Sequence, residues 1–261
     1  MKRKRLFIIV VVRNQFNYTI KCLNSIYRNT DMDYKLCIVD NASDDETIGL
    51  YNISLPNTIL IRNNENLYWA GGVNQGLKLA DGDFIVLMNN DIEVGKHWSS
   101  NLASVLMTDP KIGAVGPMCS SPRDWQYYYN IKNNFKINLP EIDDLSDLDK
   151  VNNILSETNK GRFLYIRGML AFFCVMFPSN VVNEVGLLDE EFIMGGDDDD
   201  YCRRLENKGY MLALSLQTYV IHEAGKSLNT LTSEEKERFR LNNLYRLHQK
   251  YPDYYRIPKS G

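Results

Sequence analysis

Asp83-Phe84-Ile85-Val86-Leu87-Met88-Asn89-Asn90-Asp91 is an apolar run that stops abruptly in two amides and a carboxylate. A continuous hydrophobic run bounded by polar residues reads as a strand buried on both faces of a parallel sheet, so its polar end emerges at the sheet's carboxyl edge. Open α/β sheets bind their ligands at that edge. The stretch therefore predicts a strand that presents its last residues to a ligand.

The flanking segments repeat one alternation. Leu6 to Val12 is β-branched and apolar, and Asn17 to Asn29 then places Ile20, Leu23, Ile26 and Tyr27 on one helical face. Lys35 to Val39 is a short strand ending in Asp40, and Ser43 or Asp44 can cap a helix with an acidic first turn. Thr58 to Arg62 reads as a strand, Ala70 to Ala80 as a helix, Lys96 to Met107 as a helix, and Ile112 to Val115 as a strand behind the Asp109-Pro110 break. Strands alternating with helices of this length specify a doubly wound parallel sheet, and right-handed crossovers put every strand's carboxyl end on one rim. Asn14, Asp40 and Asn89 to Asp91 are expected to converge there, which makes the rim a candidate site.

From Cys119 to about Arg162 the pattern dissolves into Trp125-Gln126-Tyr127-Tyr128-Tyr129, an Asn-rich stretch and an acidic segment from Glu141 to Asp149. So long an irregular piece in a compact domain is usually functional or mobile. Phe163 to Phe177 again has strand character, and a short helix starts at Pro178-Ser179 and ends at Gly186. Asp197 to Asp200 lead a helix stopped by Gly209, Leu212 to His222 is strand-like, and Ser233 to Tyr251 is a charged amphipathic helix.

The 261 residues are 44% hydrophobic and 24% charged, enough for one large α/β domain with an appendage, and the net charge of −3 supplies no basic field for nucleic acid. Five dispersed cysteines without a Cys-x-x-Cys pair fit reduced, buried thiols of a cytoplasmic protein rather than a disulfide framework or zinc cluster. The basic tip before Leu6 leads into an apolar run too short for a secretion signal, and Met169 to Phe177 is far below the roughly 20 residues of a membrane span.

Each chemical constellation has a bland counterpart. Asp91 on a rigid strand end is a hard oxygen ligand for a divalent cation, or the cap of a turn. Asp40 suits a nucleobase imide or ribose hydroxyl, or an Asx-turn. The four aspartates at 197 to 200 read as a solvated first turn, a calcium site without EF-hand spacing, or a crowded general base. His222, at a strand end, is structural or a metal ligand better suited to manganese than to calcium. Lys226 and Ser227 beyond it could meet phosphate oxygens or form a surface loop. Tyr68-Trp69 forms an apolar wall beside a sugar or belongs to the core, and Tyr127 to Tyr129 stack on a sugar ring or cover the sheet edge. Gly71-Gly72 with Gly76 has the wrong spacing and place for a dinucleotide fingerprint.

Several blocks occur together and in order: Val39-Asp40-Asn41-Ala42-Ser43, Asn66 to Gly76, Leu87-Met88-Asn89-Asn90-Asp91, Gly186 to Phe192, Asp197 to Arg204, and His222 to Ser227. From about Leu6 to Ser227 this text resembles the family 2 glycosyltransferases of the GT-A fold, particularly the bacterial rhamnosyltransferase-like branch. The resemblance implies a Rossmann-like, mostly parallel α/β sheet flanked by helices. It implies a GT-A domain over 1-231, with a nucleotide-sugar half to about 117, an acceptor-side insertion over about 118-162 and an acceptor half over about 163-231, followed by a helical tail over 232-261.

The same resemblance implies roles. Asp40 would meet the base, and Asn14 and Asn74 would shape the donor site. Asp91 would take the metal place of the family's Asp-x-Asp motif, with His222 as second ligand or diphosphate contact. Asn89 and Asn90, being uncharged, leave few protein carboxylates for the metal, Mn2+ or Mg2+, so that the diphosphate completes its shell. Asp198 matches the usual base of inverting members, and Asp197 stands where their glutamate is expected, so both are candidate catalytic residues. Val12-Arg13-Asn14 departs from the Thr-Tyr-Asn of many relatives.

The implied reaction moves a sugar from a UDP- or dTDP-linked donor to a glycan, lipid-linked or protein acceptor in the cytoplasm. A nucleotidyltransferase and a catalytically silent sugar-binding protein on the same fold are the competing readings. The first should carry a Gly-rich, basic phosphate loop after the first strand, and Arg13-Asn14-Gln15-Phe16 is not one. For the last helix, packing on the domain, homodimer pairing and peripheral contact with an anionic membrane stay open.

Overall fold

A computed structural model describes residues 4-52, 55-224 and 232-253. Nine strands form one sheet. In chain order they are β1 (Arg5–Val12), β2 (Asp33–Asp40), β3 (Thr58–Arg62), β4 (Phe84–Asn89), β5 (Ile92–Val94), β6 (Ile112–Cys119), β7 (Phe163–Ile166), β8 (Cys174–Pro178) and β9 (Met211–His222). The helices are α1 (Phe16–Asn29), α2 (Tyr68–Leu77), α3 (Trp98–Leu106), α4 (Tyr128–Asn134), α5 (Leu148–Thr158), α6 (Ser179–Val185), α7 (Asp197–Asn207) and α8 (Ser233–Lys250).

The sheet order is β3-β2-β1-β4-β8-β6-β9-β5, with β7 against β9. β1 pairs in parallel with both β2 and β4, with Val11 opposite Asn89 and Val12 opposite Asp40. The chain leaves β1 in one direction to β2 and β3, then returns on the other side as β4. The crevice beyond the carboxyl ends of β1 and β4 is thus the switch point where open sheets bind ligands.

Both faces of this central ribbon are buried, as its unbroken apolar runs require. Phe7, Ile9, Val11, Ile85 and Leu87 face one core with α2 and α7. Leu6, Ile8, Val10, Val86 and Met88 face the other with α1 and α3. Gly72 and Gly76 let α2 lie close on β1: a Cβ would come within 2.8 Å of Val11 Cγ1 at the first and 2.7 Å of Ile9 Cγ2 at the second. The glycine cluster is a packing device.

Three features differ from the sequence reading. Phe163 to Phe177 is two strands, and the second, β8, runs antiparallel between β4 and β6. With β5 and β7 also reversed, six strands end on the ligand rim rather than all nine. The irregular insertion contains α4 and α5, and Tyr128 within it is fully buried with its hydroxyl donating to Pro140 O at 2.6 Å. Tyr128 covers the sheet, its ring 6.1 Å from that of Tyr219 on β9, whereas Tyr129 is exposed. All five cysteines are free and buried.

Candidate active site

A cavity of about 780 Å3 opens at the switch point, within the range of small-ligand sites. Its lining includes Val12, Arg13 and Asn14 after β1, Asn89, Asn90 and Asp91 after β4, Trp69 on α2, Asp197 on α7, and His222 at the end of β9.

The β1–α1 loop is bent by Asn14 and Gln15, both in the left-handed region with φ of 56° and 63°. Asparagine is, after glycine, among the residue types that adopt that conformation most readily. Its amide donates to Asp44 Oδ1 at 2.7 Å and its carbonyl oxygen accepts from Asp44 N at 2.8 Å, tying this loop to the one after β2.

Asp40 is buried, and its oxygens accept from Ser43 N at 2.9 Å and Arg62 Nη1 at 2.5 Å. The β2–β3 register that sets Asp40 beside Arg62 makes this pair. Asp40 sits behind the cavity wall and Asn41 lines it. Asn41 also donates to Tyr68 O at 2.7 Å, fixing the start of α2.

Asn74 does not line the cavity. It is buried, donates to Leu188 O at 3.0 Å and Glu190 Oε1 at 2.8 Å, and accepts from Leu188 N at 2.9 Å. It joins α2 to the loop after α6, and both N–H groups of its amide are engaged there. Trp69 is at the cavity, and its buried indole N–H has no hydrogen-bond partner among the described residues. Asn90 donates to Thr19 Oγ1 at 2.9 Å, anchoring the strand end on α1. Lys226 lies outside the described residues.

Asp91 and His222 meet because β5 pairs antiparallel with β9, Ile92 opposite His222. Asp91 Oδ1 lies 3.6 Å from His222 Nε2 and has no hydrogen-bond partner among the described residues. Burial pushes the Asp91 carboxyl above its ordinary value, and the facing imidazole only partly opposes this. A buried hard oxygen beside an imidazole nitrogen fits a transition-type divalent cation such as Mn2+ better than Ca2+. Among the described residues no cluster of three or more metal-ligating side chains exists, so such a cation would draw other ligands from its substrate. Asp124, at the cavity and 2.8 Å from His222 Nδ1, went unnoticed in the sequence because a lone acid in Ser121-Pro122-Arg123-Asp124 has no local signature.

Of the four aspartates, Asp197 lines the cavity and Asp198 does not. Burial, with the charges of Asp199 and Asp200, pushes Asp197 up to about 6. Asp198 is raised well above the ordinary carboxylate range by burial and then by Asp197. Asp200 is fully buried and bonded instead to Arg204 Nε at 2.9 Å, Tyr251 OH at 2.8 Å and Lys250. The turn into α7 runs through Met194, Gly195 and Gly196, all at positive φ. A Cβ on Gly196 would strike Phe192 at 2.9 Å.

α8 packs on this turn. Asn243 donates to Ile193 O at 2.8 Å and Gly195 O at 2.7 Å, and Arg246 and Lys250 hold Asp189 at 2.7 and 3.0 Å. Burial opposes ionisation of Asp189, yet these cations hold it down to about 2. Asn243→Ala should therefore loosen the loop carrying Asp197. We expect kcat to fall about tenfold with donor affinity unchanged, and stability to fall by about 1–3 kcal/mol for the two stranded carbonyls. Steady-state kinetics with thermal denaturation checks both. A second cavity of about 420 Å3 lies between α8 and the turn, sharing Met194 and Gly195 with the first and walled by Phe239, Leu244 and Leu247.

Residues 7-183, more than half of the chain and including most of β1, all of β4 and the turn that carries Asp91, match the family model described as glycosyl transferase family 2. The chain belongs to that family. A PGL/p-HBAD biosynthesis glycosyltransferase of Mycobacterium tuberculosis (strain ATCC 25177 / H37Ra) is 34% identical over 73 residues, 27% of this chain and 28% of the relative. The match spans little more than a quarter of that relative's length. A mannosyltransferase of Pyrobaculum calidifontis, solved with GDP-Man and Mn2+, superposes with a TM-score of 0.64 at 17% identity, over 95% of this chain and 65% of that one. GalNAc-T7, solved with UDP, GalNAc and Mn2+, gives 0.68 at 17% identity, over 97% and 49%. The fold is that of GT-A glycosyltransferases. No helix among the described residues is long and apolar enough to cross a membrane.

Proposed function

We propose that the protein is a metal-dependent, inverting glycosyltransferase that moves a sugar from a UDP- or dTDP-linked donor to a hydroxyl of a glycan, lipid-linked or protein acceptor. One observation carries this reading: a single cavity at the switch point has Asp91 and His222 on one wall and a carboxyl poised near 6, Asp197, on another. The family match and the metal complexes of structurally similar enzymes support it.

In this reading Asn14, Trp69, Asn89 and Asn90 form the donor wall, while Asp40 reaches the base only through its Arg62 pair or by exchanging it. A divalent metal at Asp91 and His222 would offset the charge on the departing nucleoside diphosphate. Asp197 accepts the proton of the acceptor hydroxyl as its oxygen bonds to the anomeric carbon, and the bond from that carbon to the diphosphate breaks on the opposite face. Attack from the opposite face inverts the anomeric centre. The acceptor approaches through the second cavity, which adjoins the first at Met194 and Gly195. The silent-scaffold alternative leaves the raised Asp197 carboxyl without a purpose.

The test is a panel of nucleotide sugars with Mn2+ read by thermal shift, followed by release of nucleoside diphosphate. A ligand bound only by the folded state raises the melting temperature, by RT ln(1 + [L]/Kd) in free energy. A panel in which no nucleotide sugar shifts the transition overturns the reading.

A further inference from the structure

The geometry points to Asp124 as the positioning residue that fixes which nitrogen of His222 faces the metal site. This rests on the metal reading of Asp91 and His222 and adds a third residue, one that no motif contains.

The placement follows from topology. β6 and β9 are parallel neighbours, with Cys119 opposite Val220, so the turn after β6 arrives beside the last residue of β9. Asp124 N donates to Ser121 O at 3.1 Å, closing that turn and aiming the aspartate at the strand end. His222 is then held on three sides. Its backbone N–H donates to Ser120 Oγ at 2.9 Å, its ring stacks on Phe173 at 4.7 Å and 29°, and Nδ1 lies 2.8 Å from Asp124 Oδ2. Only 8% of the His222 side chain and 20% of the Asp124 side chain are exposed.

The chemistry sets the tautomer. With the Asp124 oxygen 2.8 Å away as acceptor, Nδ1 carries the hydrogen and Nε2 keeps its lone pair. Nε2 is the atom that faces Asp91 Oδ1 across 3.6 Å. With the hydrogen on Nε2 instead, the imidazole could not ligate a cation there. Carboxylates that orient a ligating imidazole in this way are worth about 10- to 100-fold in metal affinity. Cys119 Sγ, 3.7 Å from the same Oδ2, completes the seat of the carboxylate.

The probe is Mn2+, titrated alone and with UDP, with free Mn2+ read by electron paramagnetic resonance. Asp124→Ala should weaken Mn2+ binding about 10- to 100-fold, and Asp124→Asn, whose amide N–H can donate to Nδ1 and so leave the hydrogen on Nε2, should not restore it. In a His222→Ala background the Asp124→Ala change should add nothing, because the aspartate acts through the imidazole. An equal loss in both backgrounds overturns the assignment, as does wild-type affinity in Asp124→Ala.

A metal-free readout separates this inference from the metal reading. The 15N spectrum of neutral His222, identified by its disappearance in His222→Ala, should show the Nδ1–H tautomer in the wild type and a mixture in Asp124→Ala. Should the wild type bind no Mn2+, the metal reading falls. An unchanged tautomer in Asp124→Ala refutes the role of Asp124 whatever the metal does.

Discussion

Asp197→Asn is expected to remove transfer and to stabilise the protein at the same time. General-base catalysis contributes about 10²- to 10⁴-fold, so kcat should fall by roughly a thousandfold, while donor affinity, measured by titration, stays near the wild-type value. The base works ionised, and the Asp197 carboxyl is pushed up to about 6, so wild-type kcat/KM should rise with pH through that region. The neighbouring carboxyl of Asp198 makes the observed midpoint a property of the pair.

The stability half follows from linkage. The folded state holds this proton to about pH 6, whereas the unfolded chain releases it near the ordinary 3.8, so the folded state binds more protons between those values. Stability therefore falls as pH rises through that window and stays lowered above it. The gap corresponds to about 3 kcal/mol, an upper figure for what the neutral amide regains at pH 8. Melting curves of wild type and Asp197→Asn should diverge from pH 4 to 7, with the variant the more stable. Asp198→Asn decides between the neighbours: full activity in Asp197→Asn with loss in Asp198→Asn would make Asp198 the base, as the motif resemblance implies.

How much of this was legible in the sequence depends on whether a residue's role is set locally. The Asp83 to Asp91 run gave its own strand, its burial on both faces and its polar rim, because a period-free apolar run has few other uses. The same property hid β8: an apolar run reads alike whether it lies parallel or antiparallel, so Phe163 to Phe177 looked like one strand. Helix α5 carries a faint signal, Leu148, Val151 and Leu155 at helical spacing behind an Asp147 cap, submerged in acidic and amide residues. Asn74 and Asp40 show the limit at the site. Their types suit ligand binding, but only the fold shows that Leu188, Glu190 and Arg62 already engage them. Asp124 required knowing that β6 and β9 are neighbours.

Asp91→Ala is the second large effect, and it removes the carboxylate in the turn between β4 and β5. Offsetting charge on a departing diphosphate is worth several kcal/mol, and 1.36 kcal/mol is tenfold, so loss of the main anionic ligand should lower kcat/KM about a thousandfold. His222 alone, a neutral ligand, should leave Mn2+ binding weak and nearly independent of donor. The deficit should appear as Mn2+ titrations of turnover that no longer saturate, rather than as a loss of fold. Burial already works against the Asp91 charge, since it raises that carboxyl's affinity for its proton. Removing a group whose charge the folded state disfavours should leave the melting temperature unchanged or higher at neutral pH. His222→Ala should reproduce the metal defect in milder form, and the double variant should be little worse than Asp91→Ala, since both side chains act on one cation. An Asp91→Ala enzyme that keeps the wild-type Mn2+ dependence would place the metal, and with it the diphosphate, elsewhere in the cavity.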